Sequence, residues 1–231
     1  MTTNIQTMVD SSLSTWESWN GLGYSERTAI LTQWASQLEA NAKSMVEFQC
    51  RNALEHVGET LLMPGPTGET NELYSAGRGA FVVTADADAT VTAIVGQITA
   101  VLVTGNTLFI CLPADSALSG KALVSQLEKA GCPHGVIVAV DSDQLVDLSN
   151  HTAIAGVVYA GKLSTSQAMA RQLAARDGLL AQLVTETDCE LLPVIGSPTY
   201  ILRFVTERTR TINITAVGGN ATLLELGSGE H

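Results

Sequence analysis

Between residues 80 and 186 the sequence alternates short, uninterrupted apolar runs with stretches of helical character, and the links between them are short. Phe81-Val82-Val83, Leu108-Phe109-Ile110, the run 136–140, Val157-Val158-Tyr159 and the run 181–185 read as strands. The intervening stretches 90–103, 117–130, 144–148 and 164–175 read as helices, the first stopped by Gly105-Asn106 and the second closed by Gly131 and Pro133. Strand and helix in strict alternation require parallel strands joined by right-handed crossovers. The strands are continuously apolar, which fits a sheet covered by helices on both faces. The expected fold class is therefore α/β, a doubly wound parallel Rossmann-like sheet.

Two further regions flank this unit. Over residues 24–48 the apolar residues Leu31, Trp34, Leu38, Met45 and Val46 recur at helical spacing, with Ser25 placed to cap and Glu26 in the first turn, so one amphipathic helix is expected there. Pro64-Gly65-Pro66-Thr67-Gly68, followed by Gly77 and Gly79, forbids helix and predicts a turn feeding extended strands. These glycines lack the strand-G-x-G-x-x-G-helix setting of a phosphate cradle, and they read as backbone requirements of turns. At the other end, 200–205 and 211–226 are rich in Thr, Ile, Val and Leu with period-two stretches, and Gly218-Gly219-Asn220 supplies a turn or bulge. A protruding C-terminal β-hairpin is expected, whose apolar face and edges need a partner, most simply a second copy of the chain. The resulting organisation is an N-terminal helical arm over 1–60, a Rossmann-like domain with its entry strands over 61–198 and a hairpin flap over 199–231.

Composition narrows the function classes. With 12 Lys and Arg against 23 Asp and Glu, the 231-residue chain carries a net charge of -11, which opposes nucleic acid and anionic membranes as partners. No apolar run reaches the ~18 residues of a membrane helix. Residues 1–10 are polar without a basic, then apolar, leader pattern, and a cytoplasmic location is expected. Cys50, Cys111, Cys132 and Cys189 are scattered without C-x-x-C or His at ligand spacing, so neither a disulfide framework nor a metal site is indicated. His56, His134 and His151 share no spacing with one another or with the cysteines.

A more specific reading comes from a set of ordered motifs. They are the run from Leu62-Met63-Pro64-Gly65-Pro66 to Gly77-Arg78-Gly79-Ala80-Phe81, then Gly96-Gln97-Ile98-Thr99-Ala100 with Gly105-Asn106, Ala130-Gly131-Cys132-Pro133, His151-Thr152-Ala153-Ile154-Ala155-Gly156, Leu173-Ala174-Ala175-Arg176-Asp177-Gly178 and Leu183-Val184-Thr185-Glu186. Together they resemble the cofactor domain of the 1-pyrroline-5-carboxylate dehydrogenase branch of the aldehyde dehydrogenase superfamily. The run Arg208-Thr209-Arg210-Thr211-Ile212-Asn213-Ile214, continuing through Gly218-Gly219-Asn220, is similar to the end of long proline utilization A proteins, which fuse proline dehydrogenase to pyrroline-5-carboxylate dehydrogenase and close with an aldehyde-dehydrogenase-like domain.

The departures from that family carry as much information. The family's oxyanion asparagine falls near Asp88, and a carboxylate cannot donate a hydrogen bond to an oxyanion. Its ribose-binding lysine is replaced within Cys111-Leu112-Pro113, leaving Asp115 as the acidic ribose contact, while the pyrophosphate loop has become Ala160-Gly161-Lys162. Glu186 matches the family's general acid/base, yet only the link 188–199 separates it from the terminal hairpin, where the family inserts the domain bearing its nucleophilic cysteine. Cys189 lies between Asp188 and Glu190, acids that oppose thiolate formation.

The resemblance thus implies a non-catalytic domain with a structural, oligomerisation or lid role in channelling pyrroline-5-carboxylate or glutamate semialdehyde. Glu186 would be a relic, Asp115, Gly161 and Lys162 the residues nearest a cofactor, and Thr211, Ile212, Asn213, Ile214, Gly218, Gly219 and Asn220 the assembly element. No cofactor is expected. Expected partners are a second copy of the chain through the hairpin, or the proline dehydrogenase and pyrroline-5-carboxylate dehydrogenase modules. The alternative is that the chain is the NAD-binding part of an active 1-pyrroline-5-carboxylate dehydrogenase.

Overall fold

The structure, a computed structural model, describes residues 4–213. It opens with α1 (Ile5–Gly21), whose first turn is closed by the Asn4 side chain accepting from the Gln6 N–H at 3.1 Å. The single helix expected over 24–48 is two helices, α2 (Tyr24–Ala35) and α3 (Ala40–Val57), and the first starts from Gly23 at φ 81° rather than from a Ser25 cap. The break has a local cause. The Ser36 and Gln37 N–H groups bond back to Thr32 and Trp34, and Ser36 Oγ donates to the Gln33 carbonyl at 2.7 Å, ending the helix just after Trp34 is buried.

The Pro- and Gly-rich stretch forms β1 (Leu61–Met63) and β2 (Glu69–Gly77). The alternating unit follows as β3 (Ala80–Ala85), α4 (Val91–Val103), β4 (Thr107–Cys111), α5 (Gly120–Lys129), β5 (Ile137–Ala139), α6 (Leu145–Asn150), β6 (Ile154–Ala160), α7 (Leu163–Ala174) and β7 (Gln182–Glu186). The five strands pair in parallel in the order β5-β4-β3-β6-β7, with β3 in the centre and buried at every position. This is the doubly wound order, whose topological switch lies between the carboxyl ends of β3 and β6.

Each face has its own core. On one side α4, apolar except for Thr92, Gln97 and Thr99, is enclosed between the sheet and α2 and α3, so residues 93–103 are all buried. On the other side Val9 of α1, Leu148 and Leu173 pack on Ala80, Val82, Phe109 and Val157. The N-terminal arm packs on both faces of the sheet unit. It is fastened by Ser12 Oγ donating to Thr107 Oγ1 at 2.8 Å, and by Arg27, buried, whose Nε donates to the Val103 carbonyl at 2.9 Å while Nη1 donates to the Asn20 carbonyl at 2.9 Å. A cation at the carboxyl ends of α1 and α4 is also where the helix dipoles favour it.

Two expectations about the C-terminal region change. Residues 200–204, whose composition suggested a strand, form a 3-10 turn that buries Tyr200, Ile201 and Phe204 in the core, with Phe204 edge-on to Phe81 at 5.5 Å. The extended strand begins only at β8 (Val205–Asn213), and it pairs antiparallel along its whole length with β2, from Gly77↔Val205 to Glu69↔Asn213. Among the described residues the flap is a three-stranded sheet, β1-β2-β8, built from segments that precede and follow the parallel unit. Thr211, Ile212 and Asn213 lie in β8, while Ile214, Gly218, Gly219 and Asn220 fall outside the described residues. Among the described residues no helix is long and apolar enough to cross a membrane, and no group of three or more His, Cys, Asp or Glu is placed to hold a metal ion.

Candidate functional site

Glu186 ends β7 and is 1% exposed. Its carboxylate accepts three backbone hydrogen bonds. Oε1 accepts from the Asp188 N–H at 3.1 Å, and Oε2 accepts from Val194 at 2.8 Å and Ile195 at 3.0 Å. A buried carboxylate is tolerated when several N–H groups replace its hydration, and here those groups come from the link 188–195. The side chain pins that link to the end of the sheet. At 1% exposure the carboxylate faces the link and not solvent.

Cys189 sits on the same link, partly buried, with its carbonyl accepting from Thr90 Oγ1 at 2.9 Å. Burial first, then the charges of Glu186, Asp88 and Asp86, hold its thiol above the usual range. An activated nucleophile needs the reverse. Burial likewise pushes Cys50 and Cys132 up to about 12 and Cys111 up to about 11, and all three lie in the core.

The switch point itself is built by three strand ends. Asp86 follows β3, and its N–H donates to the Ala160 carbonyl at 2.8 Å, while Gly161 N–H donates to the Glu186 carbonyl at 2.9 Å. The Asp86 carboxylate crosses to the start of α7, where Oδ2 accepts from the Lys162 N–H at 3.0 Å. Gly161, at φ +151°, leaves room for that approach: a Cβ there would lie 2.6 Å from Asp86 Cγ and 2.5 Å from Tyr159 Oη. Tyr159 is buried beside the acid, and desolvation pushes its phenol up to about 12. Gly161 and Lys162 are therefore brought together with Asp86, a residue whose role no sequence motif disclosed. Asp115 is exposed on the loop after β4 and stands apart from this contact.

A dinucleotide in an open α/β sheet lies outside the carboxyl ends of the strands at the switch point, with its phosphates on a helix N-terminus. The residues present do not fit one. Four of the five strands lead into loops with carboxylates: Asp86 and Asp88, Asp115, Asp141 and Asp143, and Asp188 and Glu190. Lys162 is exposed and offers its backbone N–H, already taken, rather than a fixed ammonium. The cavity bordered by Asp86, Cys111, Tyr159 and Thr165 holds about 190 Å³. A second cavity of about 290 Å³, sharing Pro113 and Ser142 with it, lies at the ends of β4 and β5, so it is the acidic lining and not the volume that opposes a dinucleotide. Asp88, which the resemblance sets near the family's oxyanion donor, is exposed and has no N–H to offer in its side chain.

Fold and site together define an α/β domain of dinucleotide-binding architecture whose crevice is acidic and whose end-of-sheet glutamate is bound to backbone. The profile of the "Aldehyde dehydrogenase family" matches residues 88–190. Among curated proteins, the "Bifunctional protein PutA" of Escherichia coli (strain K12) is 30% identical over 205 residues, which make up 86% of this chain and 14% of that protein. Among solved structures, proline utilization A with proline bound in remote sites superposes with a TM-score of 0.70 at 27% identity, covering 79% of this chain and 22% of that one. A Bradyrhizobium japonicum PutA mutant gives 0.73 at 26% identity, with the same coverage of 79% and 22%. An NAD-dependent benzaldehyde dehydrogenase from Corynebacterium glutamicum gives 0.62 at 18% identity over 79% of this chain and 46% of that one, a likeness of fold alone. Residues 88–190 of this chain match the aldehyde dehydrogenase family, and the chain is similar to part of PutA, spanning about a seventh of that curated relative.

Proposed function

We propose that the chain is a non-catalytic aldehyde-dehydrogenase-like module with an assembly or lid role in a proline-catabolism dehydrogenase. Its flap associates with a second copy, or docks on proline dehydrogenase and pyrroline-5-carboxylate dehydrogenase modules and covers the path of the semialdehyde between them. The observation that carries this reading is Glu186. The side chain that would act as the base is spent on three backbone N–H groups of the link that leads directly to β8.

The flap supplies the surface such a role needs. Leu61, Leu62 and Met63 of β1 are 52%, 77% and 45% exposed, and Ile212 of β8 is 45% exposed. Consecutive apolar residues exposed on a short edge strand favour a protein partner over solvent.

Light scattering tests the self-association form. A chain ending at Thr206 keeps Tyr200, Ile201 and Phe204 in the core while losing most of β8. The full chain is expected to scatter as an oligomer and the shortened one as a monomer, and Leu62→Lys should weaken assembly without any truncation. Equal masses for all three proteins would remove the flap as the assembly element.

A further inference from the structure

We infer that Asp86 is a resident anion: its carboxylate stands at the N-terminus of α7 in the place of a dinucleotide phosphate and closes the crevice to dinucleotides. This rests on the geometry of the switch point and is independent of what the flap binds. Helix α7 begins at Leu163 after Lys162, which gives no side-chain cap, and its first turn contains no acid. An uncapped helix of 12 residues presents free N–H groups and the positive end of its dipole to whatever anion can reach it. In a nucleotide-binding sheet that anion is the ligand's pyrophosphate. Here it is Asp86, supplied from the loop after the adjacent strand β3 and held at 3.0 Å from the Lys162 nitrogen.

Three features fix the carboxylate in place. The Asp86 N–H is anchored on the Ala160 carbonyl at 2.8 Å, so the loop cannot swing out without breaking a bond between strand ends. Gly161 removes the Cβ that would otherwise lie 2.7 Å from Asp86 Oδ2. The phenol of Tyr159, buried below, donates toward the Lys162 carbonyl at 3.4 Å and backs the same turn. A diphosphate entering would have to displace this carboxylate and then sit beside Asp88, Asp141 and Asp143, whose loops surround the same end of the sheet. Both effects act in one direction.

The test uses the full chain, Asp86→Ala and Asp86→Asn, with inorganic pyrophosphate and NAD as probes at matched ionic strength, followed by titration calorimetry and thermal shift. The wild type is expected to give no saturable heat with either probe. Asp86→Ala should bind pyrophosphate at least about tenfold more tightly than the wild type, the scale of a favourable helix-terminus charge interaction. Asp86→Asn keeps the shape and can still accept the Lys162 N–H, so it folds even where the alanine variant does not, and should show a smaller gain in the same direction. Saturable binding of NAD or pyrophosphate to the wild type overturns the inference. So does a folded variant that binds pyrophosphate no better than the wild type.

Discussion

Glu186→Ala is expected to lower stability by about 3–5 kcal/mol, because it leaves the N–H groups of Asp188, Val194 and Ile195 without their acceptor at a site that is 1% exposed. The loss should be local in origin and global in effect. The link 188–195 would come free of the sheet, and with it Ile195, which is fully buried, and the Gln49 Nε2 bond to the Ile195 carbonyl at 2.7 Å that ties the link to α3. Glu186→Gln retains an acceptor oxygen but turns an NH₂ toward backbone donors. An intermediate loss of about 1–2 kcal/mol is expected for it. Urea unfolding followed by circular dichroism measures both. A general base freed of structural duty would show the opposite pattern, with substitutions that leave stability nearly unchanged.

Asn106→Ala should be of similar size, about 3–5 kcal/mol, for a different reason. Asn106 is fully buried and joins three separate parts of the chain. Its Oδ1 accepts from the Arg78 N–H at 2.6 Å and the Gly79 N–H at 3.0 Å, which sets the entry of β3. Its Nδ2 donates to Thr104 Oγ1 at 2.9 Å and to the Phe204 carbonyl at 3.0 Å, which fixes the end of α4 and the last turn before β8. Removing the amide strands donors and acceptors from all three at once. For a domain of this size the melting temperature is expected to fall by roughly 10 °C. Asn106→Asp, which keeps the acceptor but faces the Phe204 carbonyl with a second oxygen, should recover little. The flap is predicted to loosen in both variants, because β8 leaves the domain immediately after Phe204.

The parts of this molecule that could be read from its residues are those governed by burial on both faces of a parallel sheet. Phe81-Val82-Val83, Leu108-Phe109-Ile110 and Val157-Val158-Tyr159 had to be interior strands, since nothing in them faces water, and all nine are buried. Helix α4 was legible for the same reason. The parts that escaped depend on contacts between distant residues. Helix α1 has only Val9, Ser12 and Trp19 buried, too narrow a stripe to stand out from its polar neighbours. Tyr200, Ile201 and Phe204 have strand-like composition, and only the space beside Phe81 decides that they close into a 3-10 turn.

At the site, Glu186 was singled out by its place in a family motif, but its three backbone partners come from a link with no motif of its own. Asp86 is one of two acids between β3 and α4. Its meeting with the Lys162 N–H spans 76 positions of the chain and follows from the strand order alone.

The proposed non-catalytic role makes a direct prediction for turnover of an aldehyde with NAD. The most direct measurement is the absorbance of NADH on mixing the purified chain with NAD and glutamate semialdehyde. The account predicts no NADH beyond that of a protein-free control at any substrate concentration. Saturable NADH formation that is lost in Glu186→Gln would contradict it.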